Sequence, residues 1–456
     1  MSSEKPTRRG GLRIDSVFPV RQISSRGRPM DNHAPTGRGA SLLDLGDQLQ
    51  NLRMFLFAAD AQSIAGAAKQ LYKSPSAITR SIMELEKVVG VQLLERNSRG
   101  ILPNAYGDVV LARSRRIEAE LGQAAEDLAT PRSQGTPPSP SAISHFLFNG
   151  RKLRLLIHLA DSRKISTAAA RLDISQSGAS MALSRIEAAV GEPLFHRGMH
   201  GMIATEMADG LVMRAKRVFA ELRHMLSEIS MLSGSLAGSV VAGTLPLGRT
   251  YVLPMAIAAT LERYPGIRVT TIENHFEQLV TDLRSGEIDA VLGVPRDESQ
   301  RQGLSVEPLF LEGLRVIARA GHPIFERGAI TLADLGAERW VLPWSNSLSH
   351  RLIEEAFRLE GLEPPVASVE SADLQVMRQL LLSSDMLAIA SPRQLSYELR
   401  SGLFLEVPVA LRGTEREVAL MTREGAMLSP AALAVLDAIR EQATADPRRM
   451  ELLVPD

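Results

Sequence analysis

The sequence predicts a multidomain chain, with two all-α-rich winged helix-turn-helix domains in tandem ahead of a C-terminal α/β half. Three observations carry this reading. A stretch of about fifty residues starting at Leu52 recurs without a gap from Leu153. A Pro/Ser segment, TPRSQGTPPSPS at 130–141, separates the two copies. From Gly238 the pattern changes to short aliphatic or β-branched runs, SVVAGTL, IRVTTIE, IDAVLGV, LRVIAR, RWVLPW, MLAIAS and VALMTR, with helix-like segments such as 252–263 and 275–285 between them, as in α/β folds with mainly parallel sheets.

Composition narrows the class. The chain has 456 residues, 45% of them apolar and 23% charged, enough for two to four domains at roughly 100–200 residues each. No apolar run reaches the ~18–20 residues of a membrane span, so no membrane partner is expected. Nor does an apolar stretch follow Arg8-Arg9 as a secretory or twin-arginine signal requires, which leaves a cytoplasmic protein as the expectation. Cysteine is absent, which removes disulfides, thiolate metal sites and cysteine nucleophiles together. Charge is graded, from a basic-to-neutral front half to an acidic back half, and lysine stops at Lys216. That division fits a polyanion-facing region joined to one with another task.

Taken in order, residues 1–45 are rich in Arg, Ser, Gly and Pro and read as a disordered basic tail; an upstream start, with Met30 as the true one, is the other reading. Residues 46–129 form the first winged helix-turn-helix, 130–144 a semi-stiff linker, 145–204 the second copy, and 205–235 a long linker helix. At a constant shift of 101 residues, identities include Arg53/Arg154, Ala67/Ala168, Ser74/Ser175, Glu86/Glu187, Gly90/Gly191 and Arg96/Arg197. Two copies at so long a period are a duplicated domain, not a solenoid.

Each copy reads as helix, short helix, tight turn, helix and hairpin. In the second, Ser175 is the expected cap of a helix that buries Ala179, Leu183 and Ile186 and exposes Gln176, Ser177, Ser180, Met181, Ser184 and Arg185. In the first, Ser74 is the cap, Pro75 takes the first helical position, and Ser76, Thr79, Arg80 and Met83 face outward. A short helix docked on a capped second helix is the arrangement that offers N-terminal side chains to base edges in the major groove. Arg80 and Arg185 then reach guanine or phosphate. The hairpins place Arg96, Arg99, Arg197 and His200 near their tips, suited to backbone or minor-groove contact. A helical protein–protein module with the same caps is the alternative that spacing leaves open.

After the second hairpin, Leu211, Ala215, Val218, Leu222, Met225, Ile229 and Leu232 repeat at four and three, a heptad seam expected to pair with a second chain. The first copy has a weaker version in Val110, Ser114, Ile117, Leu121, Ala124 and Leu128.

The run AAARLDISQSGASMALSRIEAAVGEPLFHR resembles the winged helix-turn-helix of LysR-type transcriptional regulators. Ser175, Gln176, Ser180, Glu187, Gly191, Leu194, Phe195 and Arg197 match that pattern, while Met181 stands where the family often has Arg. The first copy departs further, with Pro75 for the glutamine, Thr79 for the serine and Leu94 for the phenylalanine. Tandem copies also depart from the family's single domain. The resemblance implies that the long helix mediates dimerisation, and that residues 238–445, marked by YPGIRVTTIE and LVTDLRSGEIDAVLG, form a two-lobed, periplasmic-binding-protein-like effector domain. Its lobe I would span about 238–308 and 411–445, and lobe II about 309–410.

Ligands of such folds sit outside the carboxyl ends of strands, near helix N-termini. Thr244, Leu245, Pro246, Arg249 and Thr250, then Asn274 and His275, then Ser345, Asn346 and Ser347, with Ser383, are the expected effector contacts, Arg249 pairing with a carboxylate. The effector would be anionic, of a sugar-acid or aromatic-acid kind. The expected partners are double-stranded DNA, that effector, a second chain in a homodimer or homotetramer, and RNA polymerase as a further candidate. No enzyme is expected: the sequence has no HExxH, GxSxG, Walker loop or post-strand GxGxxG, no metal or cofactor is implied, and His322 and His350 read as surface residues. The rival from another class is a ligand-binding adaptor whose helical repeats bind protein. For the first copy, a second DNA reader and a packing element both remain open.

Overall fold

The computed structural model describes residues 42–97, 100–129 and 139–444. The tail up to residue 41, linker residues 130–138, Arg99, the side chain of Arg96 and the chain after 444 lie outside the described residues.

The first copy runs α1 (Leu42–Gly46), α2 (Leu49–Asp60), α3 (Ile64–Gln70), α4 (Pro75–Val89), β1 (Leu94–Asn97), β2 (Gly100–Pro103) and α5 (Ala105–Ala129). The second runs α6 (Pro140–Leu147), α7 (Gly150–Ser162), α8 (Ile165–Arg171), α9 (Gln176–Val190), β3 (Phe195–Gly198), β4 (Gly201–Ala204) and α10 (Glu206–Leu232). Backbone detail repeats with the sequence. Left-handed conformations fall on Gln62/Arg163, Tyr72/Asp173, Gly90/Gly191 and Gly100/Gly201, each pair 101 residues apart. At Gly100 and Gly201 a Cβ would meet the carbonyl oxygen of Gln62 or Arg163 at 2.4 or 2.3 Å, so a side chain is sterically excluded from either hairpin turn.

The two copies share one hydrophobic core, running from Leu45 to Ile229. At its centre α5 and α10 pack antiparallel, Arg113 near the start of α5 reaching Glu221 and Glu228 late in α10. This corrects the expectation of a second chain at the heptad seam. Leu211, Ala215, Val218, Leu222, Met225 and Ile229 are all buried within their own chain, as are Val110, Ser114, Ile117, Leu121, Ala124 and Leu128 of α5. The physical reason is complementarity: each seam needs one apolar partner, and the duplication supplies it in cis.

The C-terminal half has two lobes. The first contains β5 (Ala237–Thr244), α11 (Val252–Arg263), β6 (Gly266–Glu273), α12 (Phe276–Ser285), β7 (Ala290–Gly293) and β8 (Leu304–Glu312). The second contains β9 (Arg315–Arg319), β10 (Arg339–Leu342), α13 (Leu348–Leu359), β11 (Ala367–Glu370), α14 (Leu374–Ser383), β12 (Met386–Ala390), α15 (Ser396–Arg400) and β13 (Phe404–Glu406). The chain then returns to the first with β14 (Arg416–Arg423) and α16 (Pro430–Thr444). Sheet orders are β6-β5-β7-β14-β8 and β11-β10-β12-β9-β13. Mainly parallel sheets are the expectation from sequence, yet each sheet has two parallel and two antiparallel pairings. Only β14 in the first sheet and β9 in the second run against their neighbours, and each is the strand with which the chain enters its lobe after a crossing.

Candidate nucleic-acid interface and effector cleft

In each copy the second helix of the motif starts on a serine cap. Ser74 Oγ accepts from the amide of Ala77, and Ser175 Oγ from that of Gly178. The same hydroxyls lie 3.0 and 3.1 Å from Ser76 Oγ and Ser177 Oγ, which holds those two side chains at the helix tips. Gln176, Ser177, Ser180, Met181, Ser184 and Arg185 are all exposed on α9. On α4, Ser76 and Arg80 are exposed, but Thr79 is half-buried and its hydroxyl donates to the carbonyl of Pro75. Arg185 Nη2 lies 3.6 Å from Met181 Sδ, so its guanidinium folds back one turn toward the position where the family often has Arg.

The wings are anchored by a residue the sequence reading left without a role. Glu86 Oε1 accepts from the amide of Leu93, and Glu187 Oε1 from those of Leu194 and Phe195. Arg197 and His200 project from the second wing into solvent. Cations gather around these elements. Burial, and then the charge of Arg185, hold the Lys152 ammonium below its usual range. Burial lowers His145 as well, followed by Arg53, Lys73 and Lys152. Such a surface suits phosphate.

The contacts between the copies are reciprocal, as in a two-fold interface. Arg113 pairs with Glu221 at 2.5 Å and Glu228 at 2.6 Å, and its equivalent Arg214 with Glu120 at 3.2 Å and Asp127 at 3.0 Å. Arg116 pairs with Glu221 at 2.7 Å, matched by Arg217 with Glu120 at 3.5 Å. The symmetry breaks where the C-terminal half docks. Arg113 Nη1 donates to the Met427 carbonyl and Arg116 Nη2 to that of Gly425, between β14 and α16.

In the first lobe, parallel pairing of β5 with β6 sets Thr244 beside Glu273, so the Thr244–Thr250 loop and Asn274-His275 meet at strand carboxyl ends. Gln394 Nε2 reaches the Pro246 carbonyl at 3.5 Å from the other lobe, which places this edge against the loop after β12. Ser345, Asn346 and Ser347 follow the carboxyl end of β10, and Ser347 caps α13 by accepting from the His350 amide. Thr244 is buried, its hydroxyl donating to the Leu245 carbonyl, while Thr250 Oγ1 is buried without a partner among the described residues. Two expectations change. Arg249 is held by Glu273 at 2.6 Å and does not point a free guanidinium at ligand. Ser383 ends α14 at the amino end of β12, opposite the cleft edge, and its hydroxyl bonds back to Gln379.

Residues 233–444 match the LysR substrate binding domain, and residues 49–108 and 151–209 each match the bacterial regulatory helix-turn-helix protein of the lysR family. The HTH-type transcriptional regulator GalR of Pseudomonas putida is 39% identical over 396 residues, 87% of this chain and 97% of that one. The chain belongs to the LysR family of transcriptional regulators. The regulator is also similar to GbpR of Rhizobium radiobacter, at 26% identity over 52% of this chain and 79% of that one. Full-length OxyR from Pseudomonas aeruginosa aligns with a TM-score of 0.48 and 23% identity, over 66% of this chain and 99% of that structure. An alignment as long as that to GalR necessarily includes most of both helix-turn-helix copies.

Sequence reasoning overlooked the hinge between lobes. Glu312, at the end of β8, accepts from Ser391 Oγ and from Arg393, and Arg416 Nη1 donates to Ser349 Oγ in the first turn of α13. The signal for it in the sequence is the run MLAIASP, whose second-last residue is Ser391. His322, expected at the surface, is buried, with Nδ1 accepting from Ile324 and Nε2 facing the Asp385 carbonyl. Among the described residues no three His, Cys, Asp or Glu side chains could hold a metal, and no helix is long and apolar enough to cross a membrane.

Proposed function

We propose that this LysR-type regulator binds duplex DNA through α9 and its wing, with Gln176, Ser177, Ser180, Ser184 and Arg185 at base edges and Arg197 and His200 on phosphate, and that a small anionic effector between the two lobes sets its response. The observation that carries the reading is α9 itself, a capped helix that exposes Gln176, Ser177, Ser180, Ser184 and Arg185 beside clustered cations. The adaptor reading is not favoured, since both copies match a DNA-binding family. For the effector, support comes from the N-terminus of α13 with Ser345–Ser347, and from the unpartnered Thr250 hydroxyl.

Replacing Ser177 and Arg185 together by alanine tests the DNA reading. The expected result is loss of specific binding to the regulator's own promoter region, with the fold intact by circular dichroism. Unchanged binding would remove α9 from the interface. Affinity of the native chain is expected to fall by ~0.9 log units per log unit of salt for each phosphate contact. Effector binding is read from thermal melting against a panel of sugar acids and aromatic acids. A ligand at a hundred times its Kd adds about 2.7 kcal/mol of stability.

A further inference from the structure

The reciprocal pairing of α5 with α10 makes the two copies a single body with two recognition helices, and those helices are not alike. At equivalent positions α4 presents Pro75, Arg80 and Glu84 where α9 presents Gln176, Met181 and Arg185. The chemistry differs at each. Glutamine at the helix tip suits the paired donor and acceptor of adenine, arginine the two acceptors of guanine, and glutamate the amino group of cytosine. Two identical heads related by a two-fold axis read a palindrome; two unlike heads so related cannot.

We propose that one chain is a complete two-headed reader whose operator unit is a non-palindromic pair of unlike half-sites at fixed spacing, the first copy on one and the second copy on the other. This rests on the DNA-binding reading above and assigns the first copy a recognition role. The reciprocal ion pairs of Arg113 and Arg214 fix the relation between heads, so the spacing of the half-sites is a property of the fold.

The test is selection of binding sequences from a random duplex DNA library by the full chain and by two double variants, Ser76→Ala with Arg80→Ala and Ser177→Ala with Arg185→Ala. All four positions are exposed, and unchanged melting temperatures establish that the variants fold. The native chain is expected to enrich two unlike blocks whose centres lie about one helical turn, roughly 10 base pairs, or a multiple apart. Each variant then loses the consensus in one block and keeps it in the other, with about tenfold or greater loss of affinity for the native sequence. A palindromic consensus overturns the proposal, as does an unchanged pair of blocks from the first-copy variant. Failure of the native chain to enrich any block overturns the DNA-binding reading itself, and is told apart by the absence of both blocks.

Discussion

Arg113 is fully buried between two carboxylates and a carbonyl oxygen. Burial works against its charge, and Glu228 and Glu221 more than offset this, so its pKa is raised. Replacing it by methionine strands Glu221, itself 3% exposed, with Arg116 as its remaining cation. The expected loss is about 3–5 kcal/mol in denaturant unfolding. Its equivalent Arg214 is 18% exposed. Arg214→Met is therefore expected to cost nearer 1 kcal/mol, and equal losses would contradict the asymmetry described. His158 offers a second residue-scale check, since its Nδ1 is buried without a partner among the described residues and the repeat places Phe57 at the same position. Burial lowers its pKa, as do the charges of Arg171 and Arg154, with Asp161 opposing. The unfolded chain then binds a proton that the folded chain resists. Stability from this group is present above the unfolded value near ~6.5 and declines as pH falls through the folded pKa. His158→Phe is expected to flatten the decline in melting temperature on the acid side of that value, and a profile parallel to the native one would exclude this cause.

At the scale of elements, the caps make the first prediction. Ser74→Ala and Ser175→Ala each remove an acceptor from an amide at a recognition-helix start, at a cost of about 0.5–2 kcal/mol. Hydrogen exchange should speed up at Ala77 in the first variant and at Gly178 in the second, and exchange unchanged at those amides would mean that the caps do not hold. These caps were legible in sequence because Ser-Pro-Ser and Ser-Gln-Ser carry a local signal. So was α11, read from its periodicity as 252–263 and found at Val252–Arg263. The strands that escaped notice are β8, β11 and β13. Pro308 interrupts the β8 pattern, tolerated because β8 is an edge strand with a register shift opposite, while β11 and β13 have four and three residues. The loops after β5, β6 and β10 lie at strand carboxyl ends as their order in the chain dictates, whereas Ser383 precedes β12 and so lies at the amino end of that strand, away from them. The partner of the heptad seam was hidden for another reason. Periodicity reports that an apolar stripe must be covered and is silent on whether the cover comes from another chain.

For the whole molecule, that silence has a measurable counterpart. Where two separate chains pair through linker helices, dilution separates them, and the unfolding midpoint rises with protein concentration. Here the two helices belong to one chain joined through residues 130–138, so pairing is intramolecular, at an effective concentration on the order of millimolar for a short linker. The core of the paired copies is distinct from those of the two lobes. Its unfolding, followed by hydrogen exchange at α5 and α10, is expected to be independent of concentration over a hundredfold dilution. A midpoint that falls on dilution would mean that the copies pair between chains. The cis arrangement also sets the ratio of effector to DNA-reading units. One C-terminal half serves two heads, and it docks on α5 through hydrogen bonds from Arg113 and Arg116 to the carbonyls of Met427 and Gly425. Any effector-driven shift of that loop reaches the first copy through Arg113 and the second through Glu221 and His224, whose Nδ1 also meets the Met427 carbonyl. Arg116→Ala removes one of the two arginine contacts to this loop. It is expected to leave the concentration-independent unfolding of the heads in place while lowering the protection of amides in residues 424–429, and unchanged protection there would show that the loop is held without it.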